Sequence, residues 1–358
     1  MIYVIIGTRA QLIKTAPILI ELKNRRIDHL FVLTGQHTAT IDDLIERFKI
    51  KPPDFKLYNG KEITRIGQAF LWSFQCILRS LSLRKNLDKE NIALIHGDAY
   101  STILAAIIAK LLRMKIGHVE AGLRSFDYFD PFPEESTRVL TSKLADFHFC
   151  PGKWAVNNVE GESGIKVNTG VNTLYDTFGL FVNNESEVSA DIPKNRYAVI
   201  SIHRFENVYS KERLKHIVNL VNNISKKIPL VFVLHPITEH SLRSYKLLET
   251  LKQNDSVEFR HRCDYFKFIK LMINSEFIIT DGGSNQEESY YLGKPCLLFR
   301  DKTERLEGLG RNVVLSRFNE SIIDHFIDNY TQHRYPFLRV NENPSKIIVD
   351  FLEKWEPK

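Results

Sequence analysis

Seven short stretches of this chain carry residues able to do acid–base or anion chemistry, and each follows an apolar, β-branched run. GTRAQLIK (7–14) offers Arg9 and Lys14 beside the start of a helix, where backbone N–H groups already favour an anion. It is neither a P-loop nor a GxGxxG motif, so solvated basic residues on a helix are an equal reading. GDAYST (97–102) puts Asp98 at a strand end. A carboxylate there can act as a base, hold a hydroxyl or cap the next helix, and by position alone the cap is the simplest of the three.

HVEAGLRS…PFPEESTR (118–138) is the richest segment. Glu120 closes a strand, Arg124 follows, and Phe126, Tyr128, Phe129 and Phe132 line the loop. Glu134 and Glu135 come after Pro133, in the first turn of a helix. Carboxylates in an aromatic loop are expected to titrate high, which suits proton transfer. A first-turn pair can equally well complement the helix dipole, and one of the two is expected to do only that.

The second half repeats the pattern. SIHRFEN (201–207) places His203 and Arg204 after a strand, where they could grip a diphosphate while Glu206 orients one of them. LHP (234–236) repeats the arrangement with His235. In DGGSNQEE (281–288), Gly283 and Ser284 lead into a helix as a phosphate-binding turn, with Glu287 and Glu288 placed for ribose hydroxyls. A plain helix N-terminus with favourable acids is the simpler alternative. TERLEGLGRN (303–312) adds Arg305, Glu307 and Arg311.

The elements that must position these residues alternate. Short runs such as IYVIIG (2–7), HLFVLTG (29–35), IALIHG (92–97), KIGHVEAG (115–122) and FHFC (147–150) are separated by helical patterns at 11–25, 41–48 and 100–113. A second series has strands at 197–203, 230–235, 257–262, 277–283 and 295–300, with helices at 211–227, 266–275 and 284–293. This order predicts an α/β protein of two Rossmann-like, doubly wound domains facing a central cleft, since ligands bind beyond the carboxyl ends of parallel strands. The expected organisation is an N-terminal domain over 1–172 carrying the acids, a crossover linker over 173–195 and a C-terminal domain over 196–335. A tail over 336–358 is predicted to end in an amphipathic helix packing back on the first domain.

Composition narrows the class. At 358 residues, two cores can form without a metal or disulfide staple. The formal charge of +6 is spread among 49 bases and 43 acids with no basic block, which argues against nucleic acid as a partner. Cys76, Cys150, Cys263 and Cys296 fit no zinc spacing, and Cys150 and Cys296 read as buried strand thiols. The short apolar N-terminus lacks a basic n-region and cannot span a bilayer, so a cytoplasmic location with no membrane partner is expected.

In their order and spacing these motifs resemble the non-hydrolysing UDP-N-acetylglucosamine 2-epimerases, over about nine-tenths of the chain. TGQH (34–37), HVEAGLRS, PFPEE, HRFEN, GGSNQEE and LGKP (292–295) carry the likeness. The resemblance implies the GT-B arrangement, no metal, no nicotinamide or other cofactor, and a homodimer. It implies a UDP-sugar as the substrate, its UDP bound by the second domain, with UDP eliminated across C1 and C2 and then added back with C2 inverted. Asp98, Glu120, Glu134 and His203 match the catalytic positions. Arg9, Lys14, Arg124, Arg204, His235, Gly283, Ser284, Glu288 and Arg305 match positions around the UDP-sugar. The chain departs from the family at Ala10–Gln11, Ala99–Tyr100, Phe205 and Ser284, which leaves a modified sugar open as the substrate. Thr38–Ala39–Thr40 lacks the polar pattern of an allosteric site, so allosteric control is not expected. A GT-B glycosyltransferase is the main rival, since it needs the same diphosphate grip but one base; a hydrolysing epimerase ranks third.

Overall fold

A computed structural model describes residues 1–36, 41–60, 63, 66–87, 90–128, 133–182 and 191–355. His37, Thr38–Ala39–Thr40, Phe129 and Phe132, singled out above, lie outside the described residues. The chain divides into two units, Met1–Leu180 with Val340–Lys358, and Phe181–Arg339.

The first unit has strands β1 (Ile2–Ile6), β2 (His29–Leu33), β3 (Phe55–Lys56), β4 (Ile92–His96), β5 (Lys115–Val119), β6 (Phe147–Cys150) and β7 (Ile165–Asn168). Its helices are α1 (Arg9–Asn24), α2 (Ile41–Arg47), α3 (Ile66–Ser80), α4 (Tyr100–Leu111), α5 (Glu134–Leu144) and α6 (Lys153–Asn158). Helix α7 (Leu174–Val182) ends at the boundary, and α15 (Pro344–Lys354) returns to this unit. All seven strands are parallel, in the order β3-β2-β1-β4-β5-β6-β7. Every residue of β1 and β4 is buried, which is why these strands read as unbroken apolar runs instead of alternating ones.

The second unit has β8 (Ala198–Ser201), β9 (Leu230–Leu234), β10 (Val257–His261), β11 (Ile278–Thr280), β12 (Cys296–Leu298) and β13 (Val313–Leu315). Its helices are α8 (Phe205–Val208), α9 (Lys211–Ser225), α10 (Pro236–Ser244), α11 (Leu248–Lys252), α12 (Tyr265–Asn274), α13 (Gly283–Leu292) and α14 (Glu320–Asn329). The parallel sheet runs β10-β9-β8-β11-β12-β13. Cys150 and Cys296 are buried in their strands. Among the described residues no helix is long and apolar enough to cross a membrane.

In each sheet the winding reverses between the first strand of the unit and the fourth, β1 against β4 and β8 against β11. At such a switch point the loops beyond the carboxyl ends part and leave a crevice. Arg9 and Lys14 follow β1, Asp98 follows β4, His203 and Arg204 follow β8, and Asp281 follows β11.

The segment expected to form a crossover, 173–195, contains α7. Leu174, Phe178 and Phe181 recur at helical spacing and are buried, a periodicity that outweighs the polar character of the residues after Val182. Two-residue β3 and the half-exposed β7 carry too little apolar pattern to be read from sequence. Helix α15 packs against α1. Its Phe351 and the adjoining Trp355 meet Phe147 edge-on, each at 5.2 Å between ring centroids, and the Ser345 N–H donates to Asp176 of α7 at 2.7 Å.

Candidate active site

Helix α1 begins in a capping box. Thr8 Oγ1 accepts from the Gln11 N–H, and Gln11 Oε1 accepts in return from Thr8 N and Gly7 N at 3.0 and 2.8 Å. Two orphan donors are satisfied at once. Gln11 Nε2 also donates to the His96 carbonyl at 2.7 Å and to Thr102 Oγ1 at 2.9 Å. Gln11, noted above only as a departure, thus ties the turn after β1 to the turn after β4. It holds Arg9, Lys14 and Asp98 on one rigid platform.

One turn further along α1, Lys14 is buried and its ammonium pairs with Glu120. Asn172 Nδ2 donates to the same Glu120 oxygen. Glu120 has a φ of 65°, a left-handed conformation that costs a non-glycine residue about 1 kcal/mol or more and is kept where surroundings enforce it. The turn aims the carboxylate back over the end of β4, where Gly97 approaches Glu120 Oε1. His96, beneath this pair, is fully buried, and burial pushes its imidazole down to about 4.

Asp98 does not cap the next helix. The N-cap of α4 is Ala99, with no side-chain bond. Arg138 of α5 claims Asp98 instead, its Nε donating to Oδ2 at 2.9 Å with Nη2 on the same oxygen. The other arm of Arg138, Nη1, reaches Glu135 Oε2 at 3.3 Å. Glu135 accepts further from Arg124 Nε at 2.6 Å and from the Ser125 N–H at 2.9 Å.

High titration was expected for carboxylates here, and Glu135 reverses that expectation. Burial alone would raise its carboxyl, but the Ser125 N–H and the Arg124 guanidinium outweigh burial and hold it below the usual range. Glu135 is therefore the structural member of the pair. Glu134 opens α5 half-buried on the neighbouring position. Arg124, expected at the substrate, spends its Nε on Glu135, with its guanidinium 5.1 Å from the Phe126 ring centroid.

In the second unit, Asp281 is the buried centre. It accepts from the backbone N–H groups of His203 and Arg204 and from Asn207 Nδ2, at 3.0, 2.9 and 2.9 Å. Its carboxylate lies 3.4 Å from His203 Nδ1. Arg204 Nη2 pairs with Glu304 at 3.0 Å. Glu206, expected to orient one of these groups, is exposed and 3.7 Å from Arg204; Asp281 and Glu304 take that task because they are buried and point inward. Phe205 is exposed and stacks on Tyr209 at 4.3 Å.

His235 caps α10, its Nδ1 accepting from the Ile237 N–H, and its ring lies 5.5 Å from that of His203. Burial, followed by the neighbouring His203 and Arg262, pushes His235 down to about 4. It therefore offers a neutral imidazole, not a cation.

Gly283 and Ser284 open α13, whose N-terminus favours an anion. Both glycines are forced by close approach. A Cβ on Gly282 would lie 2.8 Å from His203 Cε1, and one on Gly283 would lie 2.9 Å from Arg305 Nε. Arg305 in turn pairs with buried Glu287 at 2.9 Å. Glu288 accepts from Asn285 Nδ2 at 2.7 Å. The groups that the sequence reading passed over, Gln11, Arg138, Asn172 and Asp281, orient others. Their only sequence signal is that each lies within a few residues of a strand end or a motif already singled out.

Two parallel sheets, each reversing its winding where these side chains gather, define a protein of two Rossmann-like α/β units. A UDP-glucosyltransferase from Polygonum tinctorium shares this fold with a TM-score of 0.60 at 10% identity. A family model described as UDP-N-acetylglucosamine 2-epimerase matches residues 20–344, and the chain belongs to that family. The UDP-N-acetylglucosamine 2-epimerase of Methanococcus maripaludis is 33% identical, covering 98% of this chain and 97% of that one. The Neisseria meningitidis enzyme bound to UDP-GlcNAc superposes with a TM-score of 0.82 at 29% identity, covering 99% of both chains. A Pseudomonas aeruginosa relative, 30% identical over 90% of both chains, is a UDP-2,3-diacetamido-2,3-dideoxy-D-glucuronate 2-epimerase.

Proposed function

We propose that this protein is a non-hydrolysing 2-epimerase interconverting a UDP-N-acetylglucosamine-type sugar and its manno epimer, in the cytoplasm, for surface-polysaccharide synthesis. We take the working unit to be a homodimer. The observation that carries the reading is the presentation of three carboxylates at one end of the first sheet, Asp98 from the β4–α4 connection and Glu120 and Glu134 from the two ends of the β5–α5 connection. Two of them are backed by a cation, Glu120 by Lys14 and Asp98 by Arg138. A transferase needs a single base. An epimerase must take a proton from one face of C2 and return one to the other.

The C2 hydrogen of a sugar has no neighbouring carbonyl and is weakly acidic. Cleavage of C1–O must therefore lead, its electron pair leaving with the β-phosphate oxygen of UDP. Cations and N–H groups fixed in advance stabilise that developing charge without reorganising. We assign this role in the second unit to His203 and Arg204, braced by Asp281, with the N-terminus of α13. One carboxylate then takes the C2 proton, leaving a C1=C2 glycal and bound UDP. A second carboxyl group then delivers a proton to the opposite face of C2 while the UDP β-phosphate oxygen bonds again to C1, restoring the C1–O bond with C2 inverted. We assign Glu288 to the ribose hydroxyls and Lys14, the partner of Glu120, to the sugar side of the reaction.

Incubation with UDP-N-acetylglucosamine in deuterated water, without an acceptor, tests the proposal. Deuterium at C2 with UDP still attached is expected. Release of the free manno sugar would assign the chain to hydrolysing epimerases. Absence of exchange with every UDP-N-acetylhexosamine tried would overturn the reading in favour of transfer.

A further inference from the structure

We infer that Asn172 is a positioning residue for Glu120, holding its carboxylate in one orientation through the first turn of α7. The inference deepens the proposed function, since it rests on Glu120 as one of the carboxylates that handle the C2 proton. Glu120 and Lys14 pair almost out of water, with side chains 3% and 6% exposed. An ammonium on a flexible four-carbon stem supplies charge but little direction. The planar amide of Asn172 supplies the direction. Its Nδ2 donates to Glu120 Oε2, the oxygen that Lys14 also engages. Both donors thus act on one end of the carboxylate, while Oε1 lies toward Gly97, in the turn that bears Asp98.

A residue that only started α7 would use its oxygen alone, whereas Asn172 uses both ends of its amide. Oδ1 accepts from the Leu174 N–H at 3.2 Å and from the Thr173 hydroxyl at 3.3 Å, the Asx turn that opens the helix. With the oxygen committed there, the amino group is fixed on Glu120, 52 positions away. The turn is anchored on both sides. Thr169 Oγ1 donates to the Cys150 carbonyl at 3.0 Å, and Thr177 Oγ1, one turn into α7, donates to the Ile13 carbonyl at 2.7 Å. Ile13 directly precedes Lys14. One helix therefore sets both members of the pair, Glu120 through a side chain and Lys14 through the backbone beside it.

The pH dependence of C2 deuterium exchange tests it. Asn172→Asp keeps the Asx turn and replaces the donor by a second carboxylate facing Glu120. The other charged or titratable groups around Glu120, namely Lys14, His96, His118 and Asp98, are unchanged in that variant. Two carboxylates in one site share a proton, so the acidic limb of kcat should move up by about one pH unit or more, with kcat near neutral pH down at least about tenfold. Asn172→Ser also keeps an acceptor for the turn but lacks the amino group, and should lower kcat about tenfold or more with KM within about threefold. Full exchange in both variants would overturn the inference, leaving Asn172 only the start of α7. So would a lower kcat with the limb of Asn172→Asp unmoved, the mark of a collapsed turn. A wild-type protein without exchange would sink the epimerase reading instead. A double-mutant cycle of Asn172→Ser with Glu120→Gln in urea unfolding then judges the contact alone: coupled losses are expected, and additive losses would overturn it.

Discussion

Asp281 holds His203 from two sides, accepting from its backbone N–H at 3.0 Å and lying 3.4 Å from its Nδ1. The same carboxylate fixes the Arg204 backbone, so one buried charge sets both groups assigned to the diphosphate. Asp281→Asn keeps the size and removes the charge. Hydrogen bonds to charged groups are worth about 1.5–3 kcal/mol, so kcat/KM should fall about 10- to 100-fold, with UDP affinity falling in parallel. Titration with UDP alone reads the second effect, and an unchanged affinity would remove Asp281 from this role.

Lys14 and Glu120 are buried partners, and losing one of them leaves a charge uncompensated. Lys14→Met should destabilise the protein by about 3–5 kcal/mol, measured by urea unfolding. The double variant with Glu120→Gln should recover most of that loss. Glu120→Gln alone should abolish C2 exchange and leave UDP binding intact. Loss of UDP binding in that variant would make Glu120 a structural residue.

Arg138 spans Asp98 and Glu135 with separate arms of its guanidinium, a geometry that a lysine ammonium cannot copy. Arg138→Lys should lower kcat about tenfold or more and leave KM within a few-fold. Equal loss in both parameters would point to collapse of the loop instead of misplacement of Asp98.

Acid should weaken the first unit through two buried imidazoles. Burial pushes His96 and His118 down to about 4 from an ordinary 6.5. The folded state therefore keeps them neutral, and their contribution is fully present above pH 6.5 and lost as pH falls from 6.5 toward 4. At about 1.4 kcal/mol per unit, each is worth up to about 3 kcal/mol. Urea midpoints should drop between pH 7 and pH 5, and His118→Asn should flatten the drop. An unchanged slope would mean that the imidazoles charge without cost.

Asp176 works in the opposite direction. Burial raises its carboxyl to about 6 from 3.8, so the folded state holds the proton more tightly, and this contribution is lost as pH rises from about 4 through 6. Asp176→Asn can still accept from the Ser345 N–H. It should raise stability at pH 7.5 and leave it nearly unchanged at pH 4, as read by thermal unfolding at the two values.

Strands β1, β4 and β5, and the acids and glycines after them, were legible in the sequence because buried parallel strands are continuous apolar runs that end abruptly at polar turns. Glu120 and His203 sit at such ends. What braces them was not legible. Asn172 reaches Glu120 across 52 positions, and Asp281 reaches His203 across 78, pairings made by strand order, which no local pattern encodes. Glu135 and Glu134 look alike in sequence, and only the burial of one beside Arg124 and Arg138 separates them. The cap reading of Asp98 failed for the same reason, since its partner lies 40 positions away.

The last twenty or so residues belong to the first unit, through α15 and its contacts with α1 and Asp176. On the ribosome, where domains generally fold as the chain emerges, this reverses the usual order. The second unit has all its residues available while the first still lacks a helix. Met1–Leu180 must wait, with Phe147 and the side of α1 that meets α15 uncovered, until α15 has been made.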